Sequence, residues 1–458
     1  MMEDFFRHVR AAAARLKEFD SSKIVRVVSH LDADGICACS ILIKALSNEN
    51  RKYSISIQPQ LDRRVILDLA QEPYELFVFT DFGSGQLDIV GELMQNKIVF
   101  VLDHHTPKYV KTDSIVHVNP HLFGIDGGIE ISGAGVVYLF AQALSEKNMD
   151  LAYLAIIGAI GDNQEKGAFR GLNAMILKTA ESTEKIRVEQ GLRLFGLETR
   201  PLYKLLEYSF HPFIPEVSGS ESGAVSFLQS LGINPKKGSG WRLLSDLTEV
   251  ERSRLIEGII LRRLGDKRDI IGPIYKLPAE KEALFRDARE FSTVLNACGR
   301  LNRASVGLGV CLGDEKARRD ARLVLADYRK EIVQAIRWYE EGVNRGHVLK
   351  GERYIIINGG REILPTMAGT LASILSRSND VAPGTFILSM ARTENSTIKV
   401  SLRRAGKSDG TDLREVIGSI VAKIGGESGG HMNAAGAIIP EASEERFIEA
   451  SKDYFSSI

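Results

Sequence analysis

The chain has 458 residues, with 59 Lys plus Arg against 59 Asp plus Glu, so no whole-molecule field draws in a polyanion and any such site must be a local cluster of Arg and Lys. A hydrophobic share of 44% with 26% charged residues suits a soluble globular chain of two or three domains, and no apolar run reaches the roughly 20 residues of a membrane span. Four cysteines without a paired metal spacing argue against a disulfide scaffold, and the charged start MMEDFFRHVR is no signal peptide, which points to the cytoplasm.

Residues 3–19 read as an amphipathic helix, with Phe5, Phe6, Val9, Ala13 and Leu16 on one face. The runs KIVRVVS, YSISIQP, ELFVFTD, KIVFVLD and SIVHVNP then read as buried strands. GICACSILIKALS, VILDLAQ and GQLDIVGELMQN lie between them as helices. This alternation predicts an α/β domain over residues 1–200 with a mostly parallel sheet, completed by the helices SGAGVVYLFAQALSE, capped by Ser132, and LAYLAIIGAIGD. From 201 to 290 the strand signal fades, and PLYKLLEYS, GAVSFLQSLG and LTEVERSRLIEGIILRRLG predict a helical insertion. Residues 291–313 return to the first domain. Residues 314–346 predict one long linking helix with an apolar stripe, closed by Gly346. A smaller α/β domain fills 347–458, with strands RYIIING, GTFILSMAR, STIKVSLRR and AAGAIIP and helices over 366–376 and 413–424.

The chemistry starts in VVSHLDADG. His30, Asp32 and Asp34 alternate, so in an extended segment they share one face. Convergent acids are costly without a positive charge between them, which leaves a divalent metal or a solvated Asp-rich turn. ELFVFTDFG delivers Asp81 after a strand, KIVFVLDHH delivers Asp103, His104 and His105, and LAYLAIIGAIGD delivers Asp162. A single Asp after a strand is ordinarily a cap or turn residue. Four such ends, with His30, Asp32, Asp34, Asp81 and the histidine pair on the edge where open α/β sheets collect ligands and Asp162 at the end of a helix, favour a metal centre. Oxygen-rich ligands with imidazoles suit manganese or magnesium, and the carboxylates suffice for two ions. Such a pair serves in-line displacement at phosphorus.

In that order, HLDADG, TDFG, LDHH and GD resemble the four motifs of the DHH phosphoesterase superfamily. GGESGGHMNAAGAI (425–438) resembles the glycine-histidine motif of the DHH-associated C-terminal domain. LNACGR (295–300) and VSLRR around Arg403 are similar to RecJ exonuclease motifs, and among the branches the archaeal RecJ-like nucleases are the most similar. The resemblance covers most of the chain except about 201–290. It implies an N-terminal DHH catalytic domain, a helical insertion, a linking helix and a DHH-associated domain that binds substrate. Asp32, Asp34, Asp81, His104 and Asp162 are then implied ligands of two Mn2+ (or Mg2+) ions, with Asp81 bridging and catalytic. His105 is implied to face the substrate phosphate and protonate the leaving group, and Asp103 to orient an imidazole. Many members carry a histidine four residues before the first Asp, where this chain has Val28, so His30 is either a direct ligand or a support for one. Ser401 and Arg403 lie where RecJ relatives hold a terminal phosphate. Gly429, Gly430 and His431 are implied to meet phosphate as well, and Arg300 to meet the strand's backbone. His117 and His121 read as structural; His8, His211 and His347 receive no role.

The implied activity is a metal-dependent single-strand exonuclease on DNA or RNA, in replication or repair. Its expected partners are single-stranded nucleic acid and a replication complex of the GINS type with which some relatives associate, and no membrane. A phosphodiesterase of short oligonucleotides or cyclic dinucleotides, and a replication scaffold without catalysis, are the alternatives.

Overall fold

Five short runs of Val, Ile and Phe build the floor on which the site rests. In the computed structural model, which describes residues 1–108, 114–165, 167–209, 214–263, 270–343, 345–378, 380–406 and 410–457, they form β1 (Val25–His30), β2 (Tyr53–Gln58), β3 (Leu76–Thr80), β4 (Ile98–Leu102) and β5 (Ile115–Val118). The strands pair in parallel throughout, in the order β2-β1-β3-β4-β5. Every residue of β3 is buried, because helices cover both faces of the sheet. On one face Val25, Val27, Val78 and Phe100 meet the helices Met2–Glu18, Ala33–Asn48, Gly133–Leu144 and Ala152–Gly161. On the other, Val28, Phe79 and Val101 meet Arg63–Ala70 and Leu87–Leu93. Ser132 caps its helix as expected, accepting the Gly135 amide at 3.2 Å.

The insertion differs from the all-helical reading. A two-stranded antiparallel ribbon, β6 (Arg187–Leu192) and β9 (Ile271–Lys276), forms its stem, and a small hairpin of β7 (Lys236–Lys237) and β8 (Gly240–Trp241) projects from it. Pro273 masks β9 in the sequence, yet a ribbon with two open edges tolerates a residue lacking an N–H. With the helices Leu202–Glu207, Glu221–Ser230 and Glu249–Arg263, the ribbon encloses an apolar core of its own, from Leu192 to Ile274. Leu277, Phe285 and Ala288, by contrast, pack into the core of the first domain. His211 lies outside the described residues.

The linking helix, Glu315–Gly342, is capped by Asp314 and ends four residues before Gly346. Its front half places Ala317, Ala321, Val324 and Leu325 in the first domain's core, and its back half places Ala335 and Tyr339 in the second's. The second domain is a mixed sheet of β10 (Val348–Lys350), β11 (Tyr354–Asn358), β12 (Phe386–Arg392), β13 (Thr397–Arg404), β14 (Glu427–His431) and β15 (Ala434–Pro440), in the order β10-β11-β12-β13-β15-β14. Only β11 and β12 run parallel within it. Helices Leu413–Ile424 and Glu444–Ser456 cover one face, and Pro365–Leu375 with the linking helix covers the other. This domain closes over the first. Thr366 Oγ1 donates to the Arg300 carbonyl (2.5 Å), Lys399 Nζ to Gln60 Oε1 (2.7 Å) and Arg414 Nη1 to Thr106 Oγ1 (2.6 Å). Among the described residues no helix is long and apolar enough to cross a membrane, and the four cysteines are free and buried.

Candidate metal centre and phosphate cradle

The chain leaves β1 for β2 on one side and returns to β3 on the other, so the gap between β1 and β3 is a point where strand order reverses. His30 ends β1. Asp32 caps the next helix, accepting the Gly35 amide at 3.1 Å. Asp34 is fully buried and accepts the amides of Gly133 (2.7 Å) and Ala134 (3.1 Å) at another helix N-terminus, where the helix dipole favours its charge. Asp81 follows β3 with φ +62°, a left-handed backbone that costs a non-glycine residue roughly 1–3 kcal/mol. Phe77, Val78 and Phe79, fully buried just before it, each contribute about 1.5–3 kcal/mol, so the strand can hold that strain.

Among the described residues four overlapping groups of donor atoms could hold a metal ion, and Asp81 and His104 recur among them. One atom each from His30, Asp32 and Asp81 lies within 4.8 Å of the others, and so does one atom each from Asp34, His104 and Asp162. His30 Nδ1 is 3.1 Å from Asp32 Oδ2 and 3.3 Å from Asp81 Oδ2. His104 Nε2 is 3.3 Å from Asp81 Oδ1, 3.2 Å from Asp162 Oδ2 and 3.8 Å from Asp34 Oδ2. The departure at Val28 removes no donor, because that side chain points into the apolar layer against Phe79 and Leu61. His30 instead brings its nitrogen to the cluster.

His30 Nδ1, both carboxylate oxygens of Asp81 and His104 Nε2 are buried without a hydrogen-bond partner. Buried polar atoms are nearly always satisfied, so four orphans facing one another fit a divalent cation. The electrostatics agree. Burial, with the charges of Asp81 and Asp162, pushes Asp34 well above the usual carboxylate range. Burial likewise pushes Asp162 up to about 7, with only partial relief from His104. Burial opposes protonation of His30, yet Asp32 and Asp81 push it up to about 10. Negative charge is in excess here.

Outer contacts fix the imidazoles. His104 Nδ1 lies 2.6 Å from the Gly127 carbonyl, which leaves Nε2 for a ligand. Gln164 Nε2 donates to the same carbonyl at 2.9 Å and is itself held by Asn173 at 2.6 Å. Asp103 stands beside the cluster, with one atom each from Asp81, Asp103, His104 and His105 within 4.8 Å of the others; its carboxylate accepts the Ser84, His104 and His105 amides and sits 2.7 Å from His105 Nδ1. His117 supports this arm through Ser84 Oγ at 2.9 Å. His121 sits beside it, its amide bonded to Asn119.

Across the cleft, the His431 ring lies 4.6 Å from that of His105 and 5.6 Å from that of His104. Gly430 has φ +127°, and a side chain at Gly429 would enter open space, so the backbone between them stays uncovered. On β13, Lys399, Ser401 and Arg403 share one face. Arg403 is steadied by Ser373 Oγ (3.0 Å) and the Leu402 carbonyl (2.8 Å), and its end of the strand adjoins Gly369. Arg300 acts on both walls: its charge lowers Asp32 and bears on Lys399 and Arg403. The fold thus brings together donor atoms of His30, Asp32, Asp34, Asp81, His104, His105, Asp162 and His431, while Ser401 and Arg403 lie on β13 and Gly429 and Gly430 on β14.

Sequence reasoning missed the supports. Asn296 Oδ1 accepts the Ala33 amide at 3.0 Å, between the two motif aspartates. A Cβ at Gly299 would collide with the Leu31 carbonyl, and one at Gly133 with the Asp81 carboxylate. Both Asn296 and Gly299 lie inside LNACGR, and the spacing of that run was the available signal.

Three family models match the chain: the DHH family N-terminal domain over residues 24–159, the DHH-CID domain over 194–269 and the DHHA1 domain over 354–457. An uncharacterised protein of Methanocaldococcus jannaschii is 30% identical over 433 residues, 93% of this chain and 91% of that protein. The single-stranded-DNA-specific exonuclease RecJ of Thermus thermophilus is 28% identical over 275 residues, 57% of this chain; the match spans only 40% of RecJ. Among solved structures, RecJ in complex with Mn2+ from Thermus thermophilus superposes with a TM-score of 0.59 at 18% identity, covering 98% of this chain and 55% of that one. CDC45 from Entamoeba histolytica superposes at 0.62 with 12% identity, covering 99% and 98%. These two likenesses concern the fold.

Proposed function

This chain belongs to the DHH superfamily and is RecJ-like; on that premise we propose that it is a metal-dependent exonuclease for single-stranded nucleic acid, acting in replication or repair. One observation carries the reading: four buried, unpartnered donor atoms of His30, Asp81 and His104 converge beneath a wall of cations. His30, Asp32 and Asp81 would hold one Mn2+ or Mg2+ ion, and Asp34, Asp81, His104 and Asp162 a second, with Asp81 shared. A divalent pair supplies a Lewis acid and a nucleophilic water at neutral pH.

The chain's own residues do the rest. Arg403, Ser401 and the uncovered backbone at Gly429–Gly430 grip phosphate, and Arg300 steadies the strand between the walls. His105, its Nδ1 turned to Asp103, presents its other nitrogen to the leaving oxygen and gives it a proton. His431 donates from the opposite side. The Lys399–Gln60 and Arg414–Thr106 bonds, which tie the two domains together, support a preference for single strands. A replication complex of the GINS type is the partner that such a role implies.

The test is a degradation ladder on end-labelled single-stranded DNA and RNA, with manganese and with chelator. Asp81→Ala should remove all product while the circular-dichroism spectrum and cooperative melting persist; undiminished cleavage by that variant would refute the reading. A second reading, a phosphodiesterase of short oligonucleotides, draws on the close approach of His431 to His105, which leaves little depth for a long strand. Faster turnover of a dinucleotide than of a long strand would favour it.

A further inference from the structure

The insertion carries a chain of rings and cations that the cleft does not use. Lys236 Nζ lies 5.1 Å from the ring centre of Trp241, and that ring is 4.2 Å from Tyr203. Lys204 Nζ then lies 5.2 Å from Tyr203 and 5.3 Å from Tyr208, and the Arg200 guanidinium 5.0 Å from Tyr208. Cations and rings form a continuous chain, with Trp241 and Tyr203 in direct ring contact, from the β7–β8 hairpin to the segment before the Leu202–Glu207 helix. Folding accounts for Tyr203, which is buried in the insertion's core. It does not account for Trp241 and Tyr208, which are 39% and 48% exposed. Lys204 is paired with Glu207 and Glu221. Among the described residues Lys236 and Arg200 have no carboxylate within ion-pair distance; Lys236 is exposed and its charge is left for a ligand, while the Arg200 guanidinium is half-buried against Phe195 (4.8 Å) and Tyr208.

We infer that this ladder is a second contact for single-stranded nucleic acid, outside the cleft, with bases stacked on Trp241 and Tyr208 and phosphates beside Lys236 and Arg200. Base stacking on exposed rings tolerates any sequence, and cations beside the rings can meet the phosphates of the stacked strand. The ladder's position favours a nucleic acid over an acidic protein. Thr199 Oγ1 donates to Glu290 at 2.6 Å and the Glu198 amide at 3.3 Å, docking the Arg200 end of the ladder on the first turn of the helix Ala288–Arg300. Arg300, at the cleft, ends that same helix. Ten residues at 1.5 Å each separate the two by about 15 Å, a few nucleotides of extended strand. Arg329 of the linking helix adds positive charge close to Arg200. The inference deepens the proposed function and rests on it for the identity of the strand.

The test uses the full chain with Trp338→Phe, which leaves Trp241 as the sole tryptophan. In chelator, an oligothymidylate of about 20 nucleotides should quench Trp241 fluorescence, while one of about 4, held by the cleft alone, should not. Trp241→Ala with Lys236→Ala should weaken binding of the longer strand by roughly tenfold, the value of one stacked base with its phosphate, and leave manganese-dependent turnover of the short one unchanged. Both residues are on the exposed hairpin, and because Trp241 packs on Tyr203 of the core, an unchanged melting curve of the double variant is read alongside. Long-strand affinity that is unchanged in the double variant, with Trp241 of the Trp338→Phe protein unquenched and the short strand still cleaved, overturns the ladder alone. Quenching by a polyglutamate peptide and not by oligothymidylate overturns it in favour of a protein partner. Failure to bind or cleave any strand overturns both the ladder and the exonuclease reading.

Discussion

The floor of the cleft gathers Asp32, Asp34, Asp81 and Asp162 around two imidazoles, whereas the roof presents Lys399, Arg403 and His431 over exposed glycine backbone. Each wall is crowded with one sign of charge. On the floor, burial and neighbouring acids push carboxylates up, Asp162 to about 7. On the roof, burial with Arg300 and its fellow cations pushes Lys399 down to about 8 and Arg403 down to about 10. Such walls are poor partners for themselves and good ones for missing ligands. On the proposed function, a phosphodiester bound with divalent metal would set positive charge against the floor and negative charge against the roof.

The largest effect should come from breaking the floor. Asp81→Asn is expected to lower metal-dependent cleavage by at least about a thousandfold. It should also melt higher than the parent without metal, since one of several crowded charges is gone, and lower than the parent in saturating manganese. Differential scanning calorimetry with and without metal reads both signs. On the roof, Arg403→Ala should reduce kcat/KM by roughly 10- to 100-fold through loss of charge-assisted bonds, with a greater loss for strands ending in phosphate than in hydroxyl.

Opposite pH slopes sharpen the contrast. Without metal, Asp162 keeps a proton in the folded state that the unfolded chain has released, so its contribution is full below the ordinary carboxylate pKa near 4 and is lost as pH rises to about 7. Lys399 does the reverse. Folding excludes its proton between about 8 and the usual lysine value near 10.5, so stability rises with pH across that window. Urea titrations across pH should show Asp162→Asn flattening the first slope and Lys399→Met the second. The smallest effect concerns a support: Asn296→Ala should weaken manganese binding about tenfold by isothermal titration, with the fold intact.

How much of this was legible follows from where the signal lives. Much of the floor was readable because candidate ligands follow apolar runs, as Asp81 closes LFVFT and the Asp103–His104 pair follows IVFVL. Burial on both faces writes such strands plainly. β14 was not readable: ESGGH is polar and glycine-rich, and only pairing with β15 makes it a strand. β9 was hidden by Pro273. Gln164 and Asn296 are ordinary amides in the sequence, and their value comes from which carbonyl or amide the fold brings to them. His30 lay between these cases. Its residue type was visible, but its share in the Asp32–Asp81 group depends on the backbone turn at Asp81.

The linking helix determines how the two walls keep their distance. Its front half is sealed in one core and its back half in the other, and Tyr328 packs against both. A flexible tether would let the halves drift; this helix makes them share a girder. The gap over the substrate is therefore gauged by side-chain volume along a single rod, and widening it means unseating packed residues rather than stretching a loop. A helix far from any reacting atom thus works as the molecule's caliper.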